Sequence, residues 1–171
     1  MCFKYFIISE PAPFIRFYRV YVVPIVIYCS SIYVFVRISN IKNVERIQKY
    51  FTKRLYARIH PNQSVPKYKL RLVEFGLDSL EVELLCFDLL NFYKLMHGLY
   101  FVPDIDFKHS AHLEGRLAVS RVRTSKRRNF YISRVITLWN RYASCCCSSN
   151  LSEFRSYLSN LRFDSSLKAS L

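Results

Sequence analysis

The sequence predicts a mainly α-helical protein: a small helical bundle followed by a basic segment and terminal helices. Three observations lead there. Apolar residues recur at helical spacing, and at about 100° per residue Ile41, Val44, Ile47, Phe51 and Leu55 fall on one arc. Asp78 with Glu81, and Asn150 with Glu153, have the spacing of capping boxes, while Gly76 and Gly98 stand where helices would stop. The chain holds only 3 Gly in 171 residues, too few for a sheet built on tight hairpins or for a Gly-rich phosphate loop. A hydrophobic content of 51% and an aromatic content of 16% exclude a disordered tail. The length suits one domain or a piece of a larger protein.

Residues 1–17 fit no clear pattern. Residues 18–36 read as an apolar helix bent at Pro24, with a strand as the alternative because Val, Ile and Tyr dominate. Ile41 to Ile59 is the clearest helix, amphipathic and basic: Lys42, Arg46, Lys49 and Lys53 share a narrow arc away from the apolar one. The prolines of 60–66 mark a loop, and a short helix to Phe75 follows, closed by Gly76. The next helix opens at Asp78 and runs to about His97. Apolar residues surround it, which predicts burial at the centre of a bundle. Residues 99–127 read as an irregular basic linker, with a short strand expected at 116–124. Residues 128–171 form a C-terminal helical region, with helices at Asn129–Tyr142 and from Asn150 to about Arg162. Phe51, Leu80, Leu84, Leu89, Tyr93 and Trp139 are the expected core.

Charge is unevenly spread within a net +14. Two basic blocks, 41–75 and 115–171, flank a mildly acidic stretch, which favours gripping surfaces around a core over uniform solubilising charge. From Gly115 to Ser152 there is no Asp or Glu, yet Arg116, Arg121, Arg123, Lys126, Arg127, Arg128, Arg134 and Arg141 are present. Such a stretch needs anions from elsewhere, and a phosphate backbone supplies them. Phe130, Tyr131 and Tyr142 are interleaved with the charge, as for a backbone contact beside a stacking surface.

Other chemistry is not expected. Asp104 and Asp106 form a close acidic pair in an irregular stretch and read as a loop or cap rather than a metal site. His60, His97, His109 and His112 lack the spacing of a metalloprotease helix. The consecutive Cys145, Cys146 and Cys147 chelate one zinc ion poorly, since structural sites space their cysteines. No catalytic residue, metal or cofactor is assigned. Unspaced cysteines point to a reducing, intracellular compartment, nuclear or cytoplasmic, and the first apolar run is too short for a signal peptide, being broken by Glu10 and Pro11. Val20–Val36 carries no charge but reaches only the lower limit, roughly 17 residues, of a membrane span.

Four stretches, taken in order, resemble the C-terminal part of a non-LTR retrotransposon reverse transcriptase of the jockey or chicken-repeat kind. Tyr21-Val22-Val23-Pro24-Ile25-Val26-Ile27-Tyr28-Cys29-Ser30 resembles the family's YVxPILEYCS helix. Val44-Glu45-Arg46-Ile47-Gln48-Lys49-Tyr50-Phe51-Thr52-Lys53-Arg54-Leu55 is similar to its LExVQRRFTKRI helix, the most specific of the four. Phe75-Gly76-Leu77-Asp78-Ser79-Leu80-Glu81 resembles LGLxSLE, with Asp88-Leu89 and Tyr93-Lys94 following. Arg128-Asn129-Phe130-Tyr131 through Leu138-Trp139-Asn140 resembles RKNFF…R…WN. Order and approximate spacing hold over about residues 18–163. The resemblance implies a region beyond the catalytic palm, with 18–98 as a reverse-transcriptase thumb-like helical region. It implies a role in holding template–primer and element RNA, not in RNA-directed DNA polymerase chemistry. The chain departs from the family at Glu83, Leu84 and Cys86, where Arg residues usually follow SLE, at Ile27, where Glu is usual, and at Arg141-Tyr142-Ala143, where SLP often stands.

The expected function is therefore non-catalytic binding of RNA or DNA backbone without sequence preference, with the rest of a reverse transcriptase as a further partner. Arg46, Lys49, Lys53 and the edge residue Arg54 form one stripe. Arg121, Arg123, Lys126, Arg127, Arg128 and Arg134 form the second. Two alternatives stand beside it: a membrane-associated or interaction protein anchored by 20–36, with the basic helix on anionic lipid, and a decayed open reading frame whose product has no function.

Overall fold

The computed structural model describes residues 10–28, 30, 38–100, 107, 116–119, 123, 124, 130–142 and 150–163. It is mainly helical. The chain enters through α1 (Ala12–Phe17), passes a π-helical turn (Tyr18–Val22) and continues as α2 (Val23–Ile27). The long α3 (Ile38–Ile59), the short α4 (Tyr68–Glu74) and α5 (Leu80–Met96) follow, and α6 (Tyr131–Tyr142) and α7 (Leu151–Phe163) close it.

Residues 12–17 are thus helical, where the sequence showed no pattern. Pro13 sits in the first turn of α1, where its missing N–H costs nothing. Where a bend was expected at Pro24, the structure has a π turn just before it. The Val23 N–H reaches back five residues to the Tyr18 carbonyl, and the wider turn accommodates a proline ring that would press on the preceding turn of an α-helix. The helix expected over 18–36 is interrupted after Ile27, where Tyr28 leaves helical geometry with ψ of 125°; Ser30 is helical again, and residues 29 and 31–36 lie outside the described residues. No helix among the described residues is long and apolar enough to cross a membrane.

The central element is α5, which packs against α3, α6 and α7. Leu80, Val82, Leu84, Leu85, Leu89, Phe92 and Tyr93 are all buried on it, as an all-round apolar helix requires. Its N-cap is Ser79, whose hydroxyl accepts from the Val82 N–H at 3.4 Å. Ser79 therefore takes the role the spacing had given to Asp78. Gly98, at φ +66°, closes it: the Leu99 N–H bonds the Lys94 carbonyl at 2.8 Å and the Gly98 N–H bonds that of Leu95. Gly76, at φ +59°, ends α4 with the same paired bonds, from Leu77 to Leu72 and from Gly76 to Val73. A left-handed residue is what this closure needs, and glycine adopts it without strain. Asn150 opens α7 as expected, its carboxamide oxygen accepting from the Ser152 N–H at 3.0 Å.

The apolar interior has two parts. One joins the second half of α5 to α6 and α7, with Phe92, Tyr93, Val135, Trp139, Phe154 and Leu158 in contact. The Tyr93 and Phe154 rings stack at 4.4 Å, and Trp139 meets Phe92 edge-on at 5.3 Å. Trp139 is a packing residue, as are Leu80, Leu84, Leu89 and Tyr93. The other part gathers Leu55, Tyr56 and Phe75, with Phe51 half-buried against them. Leu117 is buried on the first core, its backbone held at both ends by the Asn140 carboxamide at 2.9 and 2.8 Å. A side chain thus satisfies the groups that a strand would have paired. The strand expected at 116–124 does not form among its described residues.

Candidate nucleic-acid interface

The basic stripe belongs to α3, and the buried side of that helix explains its fixed orientation. Of the apolar arc, Leu55 is fully buried, Ile41, Val44 and Phe51 are half-buried, and Ile47 is exposed. Glu45, Gln48 and Thr52 are buried with Leu55 and Tyr56. The helix is turned so that a polar seam faces inward, and burial is tolerated because each polar group finds a partner.

Gln48 accepts from the Tyr18 hydroxyl at 3.2 Å and donates to the Asp78 carbonyl at 2.6 Å. The Thr52 hydroxyl donates to the Gln48 carbonyl at 2.8 Å and accepts from Arg71 Nε at 3.3 Å. The rest of the Arg71 guanidinium donates to the carbonyls of Pro66, at 2.5 Å, and Lys49, at 3.4 Å. Glu45 accepts from the Tyr68 hydroxyl and, at 3.3 Å, from the Glu81 N–H. This seam ties α3 to the π turn, to α4 and to the start of α5. Burial, reinforced by the Glu45 charge, raises the Tyr18 and Tyr68 phenols far above the ordinary range and keeps them as donors. Burial first, and Glu45 second, also raise the Glu81 carboxyl.

The outward side carries Lys42, Arg46, Lys49, Tyr50, Lys53 and Arg54, all exposed. The lone carboxylate of α3, Glu45, is spent on the inward seam. Lys49 lies 5.3 Å from the centre of the Tyr68 ring, and Arg54 lies 5.3 Å from that of Tyr50. Arg46, Lys49, Lys53 and Arg54 are thus brought together on one rigid, positively charged face.

Of the second stripe, the structure describes Arg123 and Arg134. Arg121, Lys126, Arg127 and Arg128 lie outside the described residues, as do Asp104, Asp106, His109, His112 and the cysteine run. Arg123 is exposed. Arg134 is not on an outward stripe: its guanidinium pairs with Asp88 at 2.5 Å, with side-chain exposures of 13% and 0%. A fully buried carboxylate requires a counter-charge, and the nearest turn of α6 supplies it. Tyr131 is drawn inward too, its hydroxyl donating to the Asp88 carbonyl at 3.2 Å. Tyr142 is half-buried, and its carbonyl accepts from the Tyr157 hydroxyl. Of the three rings expected to form a stacking surface there, Phe130 alone is exposed.

Sequence reasoning overlooked Tyr50 and the Asp88–Arg134 pair. Asp88 was detectable as a charge inside an otherwise apolar helix. Tyr50 was detectable by its neighbours, since positions three and four residues away on a helix are adjacent, and those positions hold Arg46, Ile47, Lys53 and Arg54. Among the described residues no group of three or more His, Cys, Asp or Glu side chains is arranged to hold a metal ion. Comparison of the chain with protein-family models, with curated proteins and with solved structures gives no match.

Proposed function

We propose that this chain is a non-catalytic nucleic-acid-binding unit, similar to the thumb and following region of a non-LTR retrotransposon reverse transcriptase. It would hold phosphate backbone without sequence preference through the outward face of α3. One observation carries the reading: Arg46, Lys49 and Lys53 stand in register along about 10 Å of helix, all exposed, while the one carboxylate of α3, Glu45, is buried and hydrogen-bonded to Tyr68 and Glu81. Cations so arranged displace counterions from a polyanion rather than pair within the protein. Arg54 widens the face at its edge. Engagement of about four phosphates gives a slope of log affinity against log salt of roughly −3 to −4.

The test is titration of the detergent-free protein into a labelled RNA–DNA duplex at two salt concentrations. Steep salt dependence, equal for unrelated sequences, is the expected result. Binding that ignores salt, or no binding at low salt, refutes the reading.

A second reading rests on another surface. Phe17, Val20, Tyr21, Ile25 and Tyr28 are exposed along α1, the π turn and α2, with Arg16 exposed among them. An apolar face bordered by a cation suits the interface of an anionic membrane. Flotation with anionic vesicles that disappears in Tyr21→Ser/Ile25→Ser, while the lysines of α3 prove dispensable, would favour it.

A further inference from the structure

Tyr50 is the one aromatic residue on the outward face of α3. The residue is 60% exposed although it lies amid long side chains. Its helical neighbours are Arg46 and Ile47 on one side and Lys53 and Arg54 on the other. Ile47 is itself 44% exposed, so an apolar surface adjoins the ring between the cations. The Arg54 guanidinium lies over the ring, 5.3 Å from its centre, and places charge against one of its faces. Tyr68, the other ring beside this stripe, is half-buried, with its hydroxyl committed to Glu45.

We propose that Tyr50 is a base-stacking platform set in the phosphate-binding stripe, and that α3 therefore selects single-stranded over fully paired nucleic acid. The inference rests on the backbone-binding reading above and goes one step beyond it. A cationic stripe by itself does not distinguish a duplex from a single strand. An exposed ring beside the stripe does, because a base in a duplex is already stacked on both faces. Reaching it would mean unstacking a step, at a cost of a few kcal/mol. A single-stranded base stacks on the ring without that penalty, whatever its identity, while its flanking phosphates meet Arg46, Lys53 and Arg54.

The test uses the full chain and three labelled ligands of equal length: a mixed-sequence single strand, the same backbone without bases, and the fully paired duplex. The proteins are the wild type, Tyr50→Ala, Tyr50→Phe and Lys49→Ala/Lys53→Ala, with emission from the single buried Trp139 confirming that each is folded. Tyr50→Ala is expected to weaken single-strand binding about tenfold, and to leave the base-free strand and the duplex within about twofold. Tyr50→Phe keeps the ring and stays near wild type. If Tyr50→Ala binds the single strand as well as wild type does, or weakens all three ligands alike, stacking is refuted. In those cases loss of affinity for every ligand in Lys49→Ala/Lys53→Ala still upholds the backbone reading. If the lysine variant binds every ligand as wild type does, both inferences fall.

Discussion

The Asp88–Arg134 pair gives Arg134 a structural role, apart from the proposed phosphate-contacting set. The Asp88 carboxylate is fully buried, the Arg134 side chain is 13% exposed, and the two meet at 2.5 Å across the α5–α6 contact. Asp88→Leu leaves a guanidinium enclosed without its counter-charge, and Arg134→Met leaves a buried carboxylate in the same position. Each single change should cost about 3–5 kcal/mol, whereas the double variant, with the charges removed together and the volume largely kept, should return to within about 1 kcal/mol of wild type. For a chain of this size each kcal/mol moves the melting temperature by about 2–4 °C, so the single variants should melt roughly 6–20 °C lower. Thermal unfolding followed by far-ultraviolet circular dichroism reads this directly. Among folded molecules none of the three should change the salt slope of nucleic-acid binding. Two results would refute the reasoning: single variants that lose less than about 1 kcal/mol, or a double variant that loses the sum of both. A salt slope flattened by about one in Arg134→Met would return Arg134 to the phosphate-contacting set.

Three further outcomes follow from the same contacts. Lys49→Ala/Lys53→Ala should flatten the salt slope by roughly 1.5–2 and leave the melting temperature unchanged or slightly higher, because it relieves like charges four residues apart; a lowered melting temperature with an unchanged slope would make these lysines structural. Glu81 has its folded-state carboxyl raised above the ordinary value of 4.5 by burial and by Glu45. The folded state therefore holds that proton more tightly, and stability falls as pH rises through the unfolded and then the folded pKa. Glu81→Gln should accordingly be more stable than wild type at neutral pH, and the difference should vanish below about pH 4; chemical denaturation at the two pH values checks it. The Tyr18, Tyr68 and Tyr131 phenols are all raised above the ordinary value of 10.0, chiefly by burial. Stability should fall as pH rises past 10, and these three should ionise together with unfolding in a phenolate-absorbance titration; early, independent ionisation of all three would contradict their burial.

What could be read from the sequence follows from which signals are local. The extent of α3, the glycine closure at Gly98, the N-cap at Asn150 and the burial of Leu84, Leu89 and Trp139 depend on spacing within one helix or one turn. The readings that failed depended on distant partners. Helical spacing assigned the inward face of α3 to Ile47 and its apolar neighbours. The helix instead faces Arg71, Tyr18 and Tyr68, so Gln48 and Thr52 outrank Ile47 for the interior. Arg134 sat in a carboxylate-free stretch and looked unneutralised, but its partner, Asp88, comes from a helix 46 residues earlier. Tyr131, placed among stacking rings for its cationic neighbours, turned inward for the same reason. Residues 12–17 are short and weakly patterned, and their helix continues into an irregular turn that no simple periodicity describes.

Val44–Leu55 divides into two sets of residues with different physical roles. Glu45, Gln48 and Thr52 are buried and hydrogen-bonded, so the fold itself accounts for their presence. Arg46, Lys49, Lys53 and Arg54 lie on the other side and are exposed. Together with Lys42 they create like-charge neighbours at Lys42/Arg46, Arg46/Lys49 and Lys49/Lys53, which should destabilise the isolated helix by about 1 kcal/mol in sum. The Tyr68 ring beside Lys49 offsets part of that at one position. A solvated face could hold any mixture of charges, and alternating signs would stabilise α3. Repulsion maintained over three turns of a rigidly oriented helix, with an exposed tyrosine inside it, is what a surface built to receive a polyanion requires. The charge pattern therefore supports binding independently of the resemblance, and Tyr50 marks where that surface would do more than attract charge.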